Sequence, residues 1–156
     1  MSFASPVRLG VVLALSLVGC TQPQRPYTFK APQGPESPID TLVRALISAG
    51  HPPESVEPEL GILHTRWEST GVCYTPTQKE GSLMRRFTTT VAPMASAGNT
   101  ITVSMDAQCC EIRGENRHGD SWQGPCTVVS EILEMHQREV NSLGATLQRA
   151  MDDAAK

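Results

Sequence analysis

The chain has 156 residues, with 13 Lys and Arg against 16 Asp and Glu, a formal charge of −3. A mildly acidic chain whose nearest approach to a basic cluster is the pair Arg85-Arg86 is a poor partner for nucleic acid. Aromatic residues make up only 4% of it, so the core is modest and covalent staples matter for stability.

Residues 1–19 have the layout of an export signal. Arg8 supplies the positive charge, residues 9–18 form an apolar run, and Gly19 is small. Ten such residues rise about 15 Å as a helix, roughly half the hydrocarbon core, which is too short for a permanent span. No later stretch is apolar for long enough. The quartet Leu17-Val18-Gly19-Cys20 resembles the bacterial lipobox. That resemblance implies diacylglyceryl transfer to the Cys20 sulfur, cleavage after Gly19 and acylation of the new amine. Two or three acyl chains, at about 0.8 kcal/mol per buried methylene, hold a protein firmly on a bilayer. Thr21 is not the aspartate that resembles an inner-membrane retention signal, so the outer membrane is expected, with the folded domain facing the periplasm. Losing nineteen residues, Arg8 among them, takes the chain from 156 residues and −3 to 137 residues and −4.

Residues 20–37 carry the lipid anchor and a Pro-rich segment, with five prolines between Thr21 and Pro38. Prolines remove backbone donors and favour polyproline II, so a semi-rigid tether is expected. At about 3.1 Å per residue it reaches roughly 50 Å from the bilayer. Tyr27 and Phe29 are the candidates for a docking motif within it.

The folded domain is expected over 38–156. Ser37 is placed to cap a helix, with Pro38 in its first position and Asp40 completing a capping-box-like start. Ile39, Leu42, Val43, Leu46 and Ile47 form one apolar helical face, which Gly50 and Pro52-Pro53 end. Three strands follow. Over 61–69, Leu63, Thr65 and Trp67 share a face, with Ile62, His64 and Arg66 opposite. Over 83–91, Leu83, Phe87 and Val91 share one. Over 100–108, Ile101, Val103, Met105 and Ala107 alternate with Thr102, Ser104, Asp106 and Gln108. A long helix is predicted for 128–154 along Val129, Leu133, His136, Val140, Leu143, Leu147 and Ala150, with Gly144 costing about 1 kcal/mol relative to alanine. The predicted fold is α+β: an antiparallel meander of three strands, or four, between an N-terminal helix and a long C-terminal one.

With Cys20 committed to lipid, Cys73, Cys109, Cys110 and Cys126 remain. An even number in an exported domain reads as two disulfides. The set Cys109, Cys110, His118 and Cys126 lacks the Cys-x-x-Cys of structural zinc sites, so no metal is expected. Adjacent residues of a strand point to opposite faces, so Cys109 and Cys110 need different partners, Cys109 among the core residues and Cys110 outside. Cys126 closes the polar loop 111–125 with one, and Cys73 ties the first strand's end to the other. The indicated pairs are Cys73–Cys109 and Cys110–Cys126, and closing a loop the size of 111–125 contributes about 3 kcal/mol by restricting the unfolded chain. Within the stapled loop, Trp122, Arg117 and His118 are candidate partner-binding residues, since Trp and Arg are enriched at binding hot spots.

Nucleotide-cradling glycine loops, His-Glu-x-x-His, Gly-x-Ser-x-Gly and Ser-x-x-Lys are all absent from the sequence. His51, His64, His118 and His136 are scattered. A thiol-dependent enzyme would pair Cys109 or Cys110 with His118 or His136, but cysteines in even number outside the cytoplasm are better spent on disulfides. No catalytic residue is assigned, and no cofactor beyond the covalent lipid.

The segments LGILHTRWES, RRFTTTVAP, NTITVSMD and HQREVNSLGATLQRAM, in this order and spacing, resemble one helix-grip domain of the BamC family, lipoproteins of the outer-membrane β-barrel assembly machinery. The similarity lies in Thr65-Arg66-Trp67, Arg86-Phe87, Pro93 and Ile101-Thr102-Val103, and covers roughly 38–152. It implies a non-enzymatic scaffold or accessory whose partners are barrel-assembly subunits. BamC proteins have two such domains where this chain has length for one, and the four cysteines are no part of their pattern. The alternative is an apolar-ligand-binding module, whose mark is a groove left unfilled by Leu63, Phe87, Val103, Met105 and Leu147.

Overall fold

Alternating Thr, Val, Ile and Met residues build one long hairpin, from which the rest of the sheet hangs. The computed structural model describes residues 21–94, 98–115 and 121–156. Within it β6 (Glu80–Met94) and β7 (Gly98–Glu115) pair antiparallel from Gly81↔Glu111 to Met94↔Gly98. Each far edge of this hairpin carries two strands end to end. Along β7 lie β2 (Tyr27–Pro32) and β8 (Ser121–Val128). Along β6 lie β4 (Ile62–Thr65), itself paired with β3 (Pro53–Glu57), and β5 (Glu68–Tyr74). A separate ribbon joins β1 (Thr21–Pro23) to β9 (Glu131–Leu133). The sheet thus has seven antiparallel strands, not the three or four expected.

Helices α1 (Pro38–Ser48) and α2 (Glu134–Ala154) pack on each other and on one face of the sheet. Leu42 and Leu46 of α1 and Val140, Leu143, Leu147 and Met151 of α2 bury against Phe29, Leu63, Phe87, Ile101, Val103 and Met105. Each such side chain contributes about 1.5–3 kcal/mol on full burial. The predicted alternation of 100–108 holds: Ile101, Val103, Met105 and Ala107 are buried and their neighbours half-buried.

Four expectations need correction. The segment 20–37 is not a polyproline tether over its described part. Tyr27, Phe29 and Ala31 alternate with Thr28 and Lys30, and β2 joins the main sheet in register with Val103, Ile101 and Asn99. Its prolines cause no conflict, because Pro23 and Pro32 end their strands and β2 is an edge. Second, the C-terminal helix begins at Glu134 rather than 128. The chain first runs beside β7, and Val129 N–H donates to the Ala107 carbonyl at 2.9 Å. Third, Ser37 occupies the N-cap but its hydroxyl caps nothing; its carbonyl accepts from Thr41 N–H at 3.2 Å. Glu36 supplies the local polar contacts instead, to Thr41 Oγ1 and Arg44.

The fourth concerns Trp67. The predicted strand 61–69 breaks between Thr65 and Glu68, and register against β6 slips by one, from His64↔Thr88 to Glu68↔Arg85. One slipped residue moves every later side chain to the other face. Thr65 stays inside, where its Oγ1 accepts from Phe87 N–H at 2.8 Å. Glu68 also faces inwards, towards Arg85, and Trp67 turns out.

Candidate functional site

The helices cover one face of the sheet, and the other carries the side chains that alternate with the core. There the slip at Trp67 completes a cluster. The Arg86 guanidinium lies 4.8 Å from the centre of the Trp67 ring, and its Nε donates to Asp106 Oδ2 at 2.9 Å. The same carboxylate oxygen accepts from Thr88 Oγ1 at 2.8 Å. Since the Thr88 proton goes to Asp106, His64 Nδ1, 2.9 Å from Thr88 Oγ1, is the donor to that hydroxyl.

The order carboxylate, hydroxyl, imidazole is not that of a nucleophile relay. In a hydrolase triad the imidazole takes the hydroxyl proton and the carboxylate orients the imidazole. Here the carboxylate holds the hydroxyl proton itself. The cluster sets a cation stacked on an indole and pinned by an acid beside a directed imidazole. Arginine and tryptophan dominate binding hot spots, and a cation over an aromatic face adds about 0.5–1 kcal/mol at exposed sites. The outward placement of Arg86 and Asp106 was legible, since they flank Phe87 and Met105. The placement of Trp67 was not, because the slip leaves no trace in the residue pattern.

On the inner face a second polar group fastens α2 to the sheet. Arg85, with a side chain 14% exposed, ion-pairs with Glu139 of α2 and lies 3.9 Å from Glu68. His51, after α1, stands 3.9 Å from Glu68 and edge-on to Phe87, ring centres 4.8 Å apart. Beyond Arg85 comes His136, which is buried. Burial, and then the charge of Arg85, hold its pKa below the ordinary imidazole value, favouring the neutral ring.

Near His136 the sheet ends in two disulfides, Cys73–Cys109 and Cys110–Cys126, the pairs expected. Cys109 lies with the core as expected. Cys110 is on the opposite face yet wholly buried, with its partner Cys126 directly across on β8. Cys109 and His136 do line one cavity of about 200 Å³, with Tyr74, Leu83 and Leu133. The Cys109 sulfur there is bonded to Cys73, so it is not a thiolate nucleophile. The cavity is also smaller than the roughly 300–1,000 Å³ typical of ligand pockets.

The remaining candidates separate. Phe29 is a core residue, and Tyr27 packs against it at 6.1 Å while its hydroxyl donates to Gln148 Oε1 at 2.9 Å. Neither belongs to an exposed docking motif. Cys20, Arg117 and His118 lie outside the described residues, and Trp122 stands in β8 with its side chain likewise outside them. Leu63, Phe87, Val103, Met105 and Leu147 are all buried, so the groove expected of a ligand carrier is filled. Among the described residues no three His, Cys, Asp or Glu converge as a metal-binding group, and no helix is long and apolar enough to cross a membrane. The chain matches no protein-family model and no curated protein.

Proposed function

We propose that the protein is a lipoprotein held on the outer membrane through lipid on Cys20, serving as a scaffold or accessory in an envelope complex. The single observation that carries this is the cysteine balance. Of five cysteines, four pair in two disulfides, which points to an oxidising compartment. The fifth is Cys20, at the end of a lipobox-like signal. The recognition surface is the outer sheet face around Trp67, Arg86, Asp106 and His64, which combines hot-spot residue types without a nucleophile relay. The domain acts by holding a partner protein near the membrane, and by resemblance to the BamC family the partner is a subunit of the barrel-assembly machinery.

Two measurements test this. Labelled palmitate is expected to enter the wild-type chain and not Cys20→Ser, which should leave the envelope fraction; label retained by that variant overturns the anchor. Affinity purification through a C-terminal tag, followed by protein and lipid mass spectrometry, addresses the partner. Assembly subunits are expected with wild type and lost with Trp67→Ala/Arg86→Ala. Their absence from the wild-type sample removes the barrel-assembly role.

A further inference from the structure

If Cys20 bears lipid, little slack separates that lipid from the folded domain. Thr21, which follows Cys20 in the sequence, is paired with Leu133 in the β1–β9 ribbon. Just beyond β1, Gln137 of α2 grips the chain twice: Arg25 N–H donates to its Oε1 at 2.9 Å, and its Nε2 donates to the Arg25 carbonyl at 2.8 Å. From Tyr27 onwards the chain is in the sheet. An anchor at Cys20 therefore holds the domain against the bilayer by the end that carries Leu133.

That end exposes several large apolar side chains. Val128 is 81% exposed, Tyr74 71%, Met135 53% and Leu133 38%. They adjoin one another: Tyr74 and Leu133 border one cavity, Tyr74 and Val128 the next, and Met135 follows Leu133 by two residues. The disulfides fix the arrangement, since Cys73 precedes Tyr74 and Cys126 is two residues before Val128. The exposed Glu134 lies between Leu133 and Met135 in the chain, so the patch has no electrostatic claim on an anionic surface.

We propose that this end is a membrane-contacting surface, with Tyr74, Val128, Leu133 and Met135 entering the headgroup–acyl boundary of the bilayer that holds the Cys20 lipid. The proposal rests on the lipidation put forward above. Its occupant follows from where the anchored residue must lie, and its chemistry from a tyrosine and aliphatic side chains, which suit an interface where rings and short apolar groups settle. The contact is apolar, so zwitterionic lipid suffices and salt does not disrupt it.

The test uses the lipidated chain in phosphatidylcholine vesicles doped with a phosphatidylcholine that carries a photoreactive diazirine in its acyl chain. After irradiation, mass spectrometry is expected to find lipid adducts on peptides holding Tyr74, Val128 and Leu133–Met135, at least about fivefold above those holding Ile47 or Leu60, exposed apolar residues of other regions. The variant Val128→Ser/Met135→Ser should lose those adducts with both disulfides and the circular dichroism unchanged. Adducts confined to residues 20–23, adducts equal at Leu60, or crosslinks between two copies in place of lipid overturn the membrane surface while leaving the anchor standing. The same spectra report the mass on Cys20, and an unmodified Cys20 overturns the anchor and this surface together.

Discussion

The bond between Cys73 and Cys109 passes over Gly81, bringing to 5.8 Å two Cα atoms on strands that flank a third. In a flat sheet those strands lie about 9.5 Å apart, so this end of the sheet curls tightly and leaves no room above β6. A Cβ at Gly81 would stand 2.6 Å from the Cys110 carbonyl oxygen and 3.1 Å from Cys109 Sγ. Gly81→Ala is therefore expected to lower stability by about 1–3 kcal/mol, the usual cost of overpacking. The urea midpoint measures it, and a midpoint equal to wild type would show that the curl relaxes freely.

Gly144 provides a sharper contrast. On helix propensity alone Gly144→Ala should add about 1 kcal/mol, because glycine in a helix interior wastes backbone entropy. A Cβ there, however, would meet Tyr27 at Cδ1, Cγ and Cβ, all inside 3 Å. The tyrosine is held on its other sides by Phe29 and by its hydrogen bond to Gln148. The substitution should destabilise, and it should loosen β2 in particular. Hydrogen exchange is expected to quicken over Tyr27–Pro32 ahead of β6 and β7. A rise in melting temperature would show that helix propensity outweighs the clash with Tyr27.

These two glycines mark how far the sequence could be read. Period-two alternation revealed the inner face of β7 and that Cys109 and Cys110 take different partners, but it did not by itself decide which of them Cys73 and Cys126 would join. It also ran through Tyr27, Phe29 and Ala31, but the surrounding prolines suggested an extended tether and masked it. Prolines at strand ends and edges fit either reading, and only the partner strand distinguishes them. β3 and β8 were invisible for a different reason. Pro53–Glu57 holds one apolar residue besides its proline, and Ser121–Val128 contains Gly124 and Pro125, so their strand form comes from pairing with neighbours. The cluster on the outer face was half legible: Asp106 alternates with the core residues of β7 and Arg86 adjoins Phe87, while Trp67 reached that face by a register slip.

Disulfide removal should be costly in a core with so few aromatics. The two bonds join residues 36 and 16 apart in sequence. Loops of such sizes correspond to about 3–4 kcal/mol each through restriction of the unfolded chain. Reduction is expected to lower the melting temperature by many degrees, with Cys73→Ser/Cys109→Ser the more damaging pair because it closes the longer loop and holds the curl. A melting curve unmoved by reductant would place the stability elsewhere, in the helix–sheet core.

The ion pair of Arg85 and Glu139 makes a prediction about specificity of packing. Arg85 sits on the inner face with little exposure, so Glu139→Gln leaves it, among the described residues, Glu68 at 3.9 Å as its remaining carboxylate partner. The loss should be about 1–3 kcal/mol. Replacing both partners with methionine should recover most of it, since apolar side chains of similar reach avoid the desolvation altogether. If the double variant is as unstable as Glu139→Gln, the pair contributes more than it costs to bury.

His136 supplies a pH dependence whose sign follows from its surroundings. In the unfolded chain its imidazole titrates near 6.5, whereas in the fold burial, and then Arg85, keep its pKa lower. Above 6.5 both states carry the neutral ring and the residue adds no pH dependence. As pH falls below 6.5 the unfolded chain takes up a proton that the folded chain does not, so stability declines, by at most about 1.4 kcal/mol per pH unit for one proton. The decline levels off once pH drops beneath the folded pKa. His136→Leu, which places an aliphatic side chain beside Leu83 and Leu133, should remove this component. Urea titrations at pH 7.5, 6.5 and 5.5 are expected to show a shallower acid loss in the variant. Parallel losses in the two proteins would mean that the folded chain protonates His136 as readily as the unfolded one, and that the ring is not held neutral by its burial.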